Sequence, residues 1–422
     1  MPSSIPTYIG PDAIGELLAW ADAYGPTSYQ LVADEHTWRA LGERVHQALR
    51  ECGYAVQPIV LQPGATGEVL PDEEQIAHLL WQAGSPEEGR PVYLAVGSGT
   101  ITDLTRFVSH RTGCSFLSLP TAASVDAYAS RNAPLIMRRL KRTADCHTAL
   151  AILADLPTLT QAPHRLTASG YGDLLGKYTC LVDWELAGFL WDEPYRPDIA
   201  ADNRALLPDL ANSADAVGRN DPAAIEALLR GLIVSGHAMV RMGNSRPASG
   251  SEHHLAHFWE SQRLQQERTP LLHGASVGVG AVLIAKAYAQ LRDLSQEDVR
   301  AALEATPIPT PDDQRAEIEA FYGDVADYVY ASHASFLEPD RWQRLRDRLA
   351  TQWDRVLEVI AQVPQPAWLA DRLRRAGAPA TPAELGLSPD EIRAGLRAAH
   401  YIRDRFTVRQ LQIALGLEAS NG

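Results

Sequence analysis

VYLAVGSGTITDLTRFVSHRTGCSFLSL, Val92 to Leu119, holds a complete strand–turn–helix–strand pattern. Val92 to Val96 is a short apolar run of strand length. Gly97-Ser98-Gly99-Thr100 turns the chain, Ile101 to Arg111 has helical spacing, and Phe116 to Leu119 is a second apolar run. Two buried strands joined by a short helical crossover point to a parallel sheet covered on both faces. Glycines let backbone N–H groups approach a phosphate, and the helix start that follows carries a partial positive charge. The stretch is not a GxGxxG, so the usual dinucleotide fingerprint does not apply, and an ordinary glycine-rich β-to-α turn would read the same way.

The flanking sequence repeats the alternation. Ala13 to Tyr24 reads as an amphipathic helix with Asp12 as its N-cap. Tyr29 to Ala33 is a strand, His36 to Glu51 a helix, Ala55 to Leu61 a strand in which Pro58 argues against a central position, and Glu73 to Ala83 a helix. Leu135 to Arg139 and Thr148 to Leu153 read as two strands around the basic turn Arg138 to Arg142. From Pro157 onward the pattern is helical, with Ala224 to Met242, Ala275 to Leu291, Gln296 to Ala305, Arg341 to Val363 and Pro389 to Arg403 as the clearest segments. The expected architecture is an α/β domain with a mostly parallel, Rossmann-like sheet over residues 1–165 and an all-α domain over 166–422, with the boundary between Pro157 and Ala168. At 422 residues two domains are the ordinary outcome.

Composition narrows the class. With 38 basic against 52 acidic residues the net charge is −14, which argues against a general nucleic-acid binder and leaves room for a local cationic pocket. Four scattered cysteines form no CxxC pair, so neither a disulfide framework nor a cysteine zinc site is expected. No signal peptide and no membrane span are expected, and the location expected is the cytoplasm.

Ligands in parallel sheets bind at the carboxyl ends of the strands. Two segments occupy such ends: Gly97 to Asp103, and LPTAASVDAYAS from Leu119 to Ser130. In the second, Thr121 and Ser124 can hydrogen-bond a cofactor and Asp126 a substrate hydroxyl; equally, Thr121 or Ser124 can cap a helix. Asp34, at another strand end, can bond a ribose hydroxyl or cap the next helix.

The second focus is SGSEHHLAHFWESQRLQQERTPLLHGASVGVG, Ser249 to Gly280. It holds four of the chain's 13 histidines: His253, His254, His257 and His273. In a helix His253 and His257 share a face. Histidine and carboxylate without cysteine suit an open zinc, nickel or iron site; spacing does not say which histidines ligate. Asp173, in ASGYGDLLGKYTCLVDWE (Ala168 to Glu185), is the candidate carboxylate. Its alternative is a surface ion pair with Lys177.

Together these segments, with VGSGTITDLTRFVS (Val96 to Ser109), LPTAASVDAYASRNAPLI (Leu119 to Ile136) and YIRDRFTVRQLQIALG (Tyr401 to Gly416), resemble the sn-glycerol-1-phosphate dehydrogenase family, particularly its bacterial branch. That family lies within the dehydroquinate-synthase-like and iron-dependent alcohol dehydrogenases. The resemblance implies that Gly97, Ser98, Gly99, Thr100 and Ile101 bind the pyrophosphate of NAD(H) or NADP(H). Thr121, Ala122, Ala123, Ser124 and Ser130 would also contact the cofactor. Asp126 would contact substrate. Asp173, His253 and His273 would hold one divalent zinc or nickel ion, with Asp173 also touching substrate. His257 would be a substrate and catalytic residue rather than a ligand.

The reaction implied interconverts dihydroxyacetone phosphate and sn-glycerol 1-phosphate, in a homo-oligomer, a dimer. Arg131-Asn132 stands where smaller residues are expected, so an added phosphate partner or an altered pocket is possible there. A sugar-phosphate cyclase with no net redox change is the alternative reading, with Arg138 to Arg142 as cationic residues for a leaving phosphate. A cofactor-binding protein without catalysis is the third.

Overall fold

A computed structural model describes residues 5–25, 28–64, 66–83 and 90–418. The strands are β1 (Thr7–Gly10), β2 (Ser28–Asp34), β3 (Ala55–Leu61), β4 (Val92–Gly97), β5 (Ser115–Pro120), β6 (Asn132–Met137), β7 (Leu140–Asp145) and β8 (Ile152–Asp155). Six of them form one parallel sheet in the order β1-β8-β5-β4-β2-β3. In its centre Val92 pairs with Ser115 and Gly97 with Pro120. The two loops that leave β4 and β5 therefore start at the same level on adjacent strands. Pro58 lies on β3, an edge strand, where its missing N–H costs no ladder bond on the open side.

The apolar alternation is cashed out in one core. Leu31, Ala33, Leu94, Val96, Leu117 and Leu119 pack with Leu17 and Ala21 of helix Ala13–Tyr24 and with Leu41, Val45 and Leu49 of the next helical segment, all fully buried. Asp12 caps the first helix by accepting from Gly15 N at 3.0 Å, which is the expected N-cap.

Two sequence expectations need correction. The sequence pattern does not predict β1, because TYIG is too short to show a period. The partner of β6 is β7, not the segment from Thr148. The hairpin turns at Arg138 and Arg139, both in the left-handed region (φ 52° and 62°), and β7 reads LKRTAD. An exposed antiparallel strand carries charges and shows no apolar run. The run from Thr148 instead ends in β8, which joins the main sheet beside β1 and β5.

The chain divides into two compact units. The first comprises 1–170, 215–244 and 264–269; the second comprises 171–214, 245–263 and 270–422. A single cut at 165/166 would assign 215–244 and 264–269 to the second. Among its described residues the second unit has helices and no strand. Helices Pro222–Met242 and His273–Arg292 are long and apolar enough to cross a membrane, yet 61% and 83% of their apolar windows are buried in the fold. Both are core helices here.

Candidate metal centre and cofactor loops

In the second unit Asp173 comes from helix His164–Leu175, His253 from helix Ser251–Gln265, and His273 is the first residue of helix His273–Arg292. One ligand atom from each lies within 4.8 Å of the other two. Asp173 Oδ1 and His253 Nε2 are 3.3 Å apart. Tetrahedral zinc with bonds of about 2.1 Å has ligand–ligand edges of about 3.4 Å. The donor set, spacing and burial therefore fit a divalent cation with at least one open position.

Close backbone approach brings the helices together. A Cβ on Gly172 would sit 2.4 Å from the Gly274 carbonyl oxygen, and one on Gly280 would sit 2.8 Å from the Glu252 carbonyl oxygen. Only glycine lets Asp173 and His273 stand on helices this near one another. The start of helix Ser251–Gln265 is held by Asp183, whose carboxylate accepts from Ser251 N at 2.7 Å, from Tyr288 Oη at 2.5 Å and from Val408 N at 2.7 Å.

Three further residues surround the ligands, and of these the sequence pattern points only to Lys177, as an ion-pair partner of Asp173. Glu252 Oε1 lies 2.8 Å from His253 Nδ1 and accepts from Gly250 N at 2.8 Å, while Oε2 accepts from Thr179 Oγ1 at 2.7 Å. Lys177 is fully buried, so its pairing with Asp173 (3.8 Å) is not the surface ion pair that helical spacing allows. It also donates to the carbonyls of Asp173 and Ala248. Burial acts to raise the Asp173 pKa, but Lys177 and the His253 hydrogen bond outweigh it and hold the carboxyl well below its usual range. Burial likewise acts against charge on His253, but hydrogen bonds to Asp173 and Glu252 raise its pKa. Glu260 is the third residue: its carboxylate, with His257 and His273, makes a second group of ligand atoms within 4.8 Å.

His257 does lie one turn from His253, and its ring stacks on His273 at 5.1 Å between centroids. Arg403 Nη2 donates to its Nε2 at 3.1 Å. A guanidinium has no acceptor, so Nε2 is the unprotonated nitrogen and the proton resides on Nδ1. His254 points elsewhere: it is buried, and its ring nitrogens have no hydrogen-bond partner among the described residues.

The first unit brings the other candidates together. Helix Gly99–Arg111 starts two residues after β4, with Ser98 at its N-cap position making no capping hydrogen bond. Gly97 faces the Ile101 side chain, where a Cβ would be 2.5 Å away. Thr121 N donates to Gly97 O at 3.3 Å, so Gly97–Ile101 and Thr121–Ser124 are contiguous. Residues 121–130 form turns, not a helix, so Thr121 and Ser124 are not helix caps.

Tyr128 Oη donates to Ala122 O at 2.5 Å and lies 3.2 Å from Ser124 Oγ. Ser130 Oγ accepts from Asn132 N. Asp126 is buried and accepts from Ser235 Oγ at 2.8 Å. Sequence reasoning missed Arg106, a fully buried guanidinium that donates to Asp103 and to the carbonyls of Ala127, Tyr128 and Asn132. Its signal is a lone arginine among the apolar positions of a helix.

Asp34 caps the following helix: its Oδ1 accepts from Thr37 N at 2.8 Å in a capping box. Arg131 pairs with Asp145 on β7 at 3.0 Å. Arg138, Arg139 and Arg142 are exposed on the hairpin, and Arg139 pairs with Glu267; they do not form the cationic pocket that a cyclase reading asks of them.

Residues 8–163 match the family model described as iron-containing alcohol dehydrogenase. The chain is 31% identical over 401 residues to a glycerol-1-phosphate dehydrogenase (NAD(P)+) of Geobacillus stearothermophilus, covering 95% of this chain and 90% of that protein. A namesake from Halalkalibacterium halodurans is 33% identical over 400 residues, with 95% and 90% covered. Among solved structures, glycerol dehydrogenase from Schizosaccharomyces pombe superposes with a TM-score of 0.62 at 17% identity, covering 98% of this chain and 88% of that one. This last likeness is one of fold.

Proposed function

The chain belongs to the glycerol-1-phosphate dehydrogenase family, and on that premise we propose that it interconverts dihydroxyacetone phosphate and sn-glycerol 1-phosphate with NADH or NADPH. The observation that carries the reading is the meeting of Asp173, His253 and His273 within 4.8 Å, in a chain matching these dehydrogenases over nearly its whole length. Asp173, His253 and His273 would hold one zinc or nickel ion. When bound, such a cation supplies Lewis-acid polarisation of a ketone oxygen, and the nicotinamide supplies hydride.

The chain's own residues do the placing. Glycines at Gly97 and Gly99 and the helix start behind them would seat the pyrophosphate. Thr121, Ala122, Ala123, Ser124 and Ser130 would line the cofactor, and Asp34 would bond a ribose hydroxyl through whatever capacity its capping role leaves. Asp126 and Asp173 would orient substrate hydroxyls. His257, or a water it orients, would relay to the substrate oxygen the proton it needs, drawn in turn from solvent so that the imidazole ends neutral. We further propose a cytoplasmic homodimer in which residues 1–165 serve the dinucleotide and 166–422 the metal and substrate.

The test is the near-ultraviolet absorbance of NADH and NADPH on adding dihydroxyacetone phosphate, with zinc or nickel supplied. Steady loss of absorbance is the expected result. No oxidation with either metal and either cofactor would overturn the assignment.

A further inference from the structure

Beside the metal cluster the second unit holds a guanidinium whose charge the protein leaves unbalanced. Arg403 follows the 3-10 turn Ala399–Ile402. Its Nη2 donates to His257 Nε2 at 3.1 Å and its Nη1 to Ser245 Oγ at 3.0 Å. Both partners are neutral. Among the described residues no carboxylate pairs with Arg403.

Its neighbour does not help. Arg405 adds a second positive charge close by, bonded to Ser245 Oγ and to the Ser249 carbonyl. Glu193, the carboxylate that Arg405 feels, already accepts from Arg246 Nε at 2.6 Å and from Phe406 N at 2.8 Å. Arg405 is buried and Arg403 half-buried; loss of solvation pushes the guanidinium of Arg405 down to about 9 and that of Arg403 down to about 10, so both stay charged at neutral pH. Two neighbouring cations, each partly or wholly withdrawn from solvent and short of counter-charge, are a cost to folding. In a chain with net charge −14, carboxylates to relieve it are abundant.

The position of Arg403 says what relieves it instead. It touches His257, whose ring stacks on the ligand His273 at 5.1 Å. One imidazole thus separates the guanidinium from the cation site, a separation suited to a short molecule with a carbonyl at one end and an anion at the other. A planar fork of N–H donors matches a phosphate dianion and binds it with charge-assisted hydrogen bonds.

We infer that Arg403 binds the phosphate of the substrate and is the residue that selects phosphorylated three-carbon ketones over free ones. The inference rests on the reaction proposed above and adds to it a specificity residue that neither histidine–carboxylate spacing nor the family resemblance assigns.

The experiment compares metal-loaded wild type with Arg403→Met on dihydroxyacetone phosphate and on dihydroxyacetone. The expected result is a fall of about 10–100-fold in the preference for the phosphorylated ketone, measured as the ratio of the two kcat/KM values, the range set by loss of a charge-assisted hydrogen-bond pair. Arg403→Lys, which keeps the charge and loses the fork, should restore part of that ratio.

An equal loss on both ketones overturns the inference, because a merely structural arginine would act on both alike. A loss confined to NADPH relative to NADH overturns it too, by assigning the guanidinium to the cofactor's phosphate. If the variants do not fold, wild type decides: inorganic phosphate must raise the KM for dihydroxyacetone phosphate without changing kcat, and no competition counts against the site. Should wild type fail to turn over dihydroxyacetone phosphate at all, the reaction itself is at fault. A 31P titration of inorganic phosphate against wild type and Arg403→Met still reports whether Arg403 holds the anion.

Discussion

Glu252 and His253 are neighbours in the chain and hydrogen-bonded partners in space, with Glu252 Oε1 2.8 Å from His253 Nδ1. Adjacent residues on a helix do not ordinarily face each other. Here the helix begins at Ser251, and the Glu252 carboxylate folds back over its start, where Gly250 N–H and Thr179 Oγ1 hold it. The bond fixes which nitrogen of His253 is turned to Asp173.

Carboxylates that orient a ligating imidazole typically contribute 10–100-fold to metal affinity. Glu252→Gln is therefore expected to weaken zinc or nickel binding by about that factor while Asp173, His253 and His273 are intact. Equilibrium dialysis against a competing chelator, followed by metal analysis, reads it directly. Unchanged affinity would reduce Glu252 to a helix-end residue.

Removing a ligand should remove metal and activity together. Asp173→Asn and His273→Ala are expected to purify with little bound metal. They should lose about 100-fold or more in NADH oxidation, in keeping with the several kcal/mol a Lewis acid contributes. Stripping wild type with a chelator should mimic the variants, and adding metal back should restore wild type alone. Full metal content in either variant would exclude that side chain from the centre.

Gly172 sets the spacing of two ligand-bearing helices. A Cβ there would lie 2.4 Å from the Gly274 carbonyl oxygen. Backbone cannot yield as a side chain can, so Gly172→Ala should cost about 1–3 kcal/mol. Because Asp173 follows Gly172 and His273 precedes Gly274, metal affinity should fall as well. Thermal unfolding and metal dialysis on the same preparation test both parts. An alanine tolerated without loss of either would show that the helices can separate.

His333 makes stability depend on acid. It has no exposed surface, its ring stacks on Phe336 at 4.5 Å, and burial pulls its pKa from 6.5 down to about 3. His400 nearby is also pulled well below 6.5 by burial. A base whose pKa is lower in the fold binds fewer protons folded than unfolded between those two values. The stability it contributes is full above pH 6.5 and is lost progressively as the pH falls toward about 3. His333→Phe should flatten the fall in urea midpoint between pH 7 and 5. An unaltered slope would mean that His333 takes a proton in the fold as readily as in water.

How much of this was legible beforehand can be traced residue by residue. The central strands and the glycine turn at Gly97 were readable because a buried parallel strand is a short apolar run, whichever chain it belongs to. The one-face arrangement of His253 and His257 followed from helical pitch alone, and Pro58 announced an edge strand by its missing donor. β1 was too short to carry a period. β7, being exposed and charged, reads like a loop, so the apolar pattern points to the wrong partner for β6.

The remaining features are contacts between distant positions, and local rules are silent about them. The pitch of a helix put Lys177 beside Asp173 but could not tell that other helices would bury the pair completely. The meeting of Arg403 with His257 spans 146 residues, and Arg106 gathers the carbonyls of a loop more than 20 residues on. The amino-acid order thus determined the secondary elements and the chemical kinds of group available, because both depend on neighbours within a few residues. Tertiary packing alone decided which groups are desolvated together, and desolvation is what turns a carboxylate, three imidazoles and a guanidinium into one site.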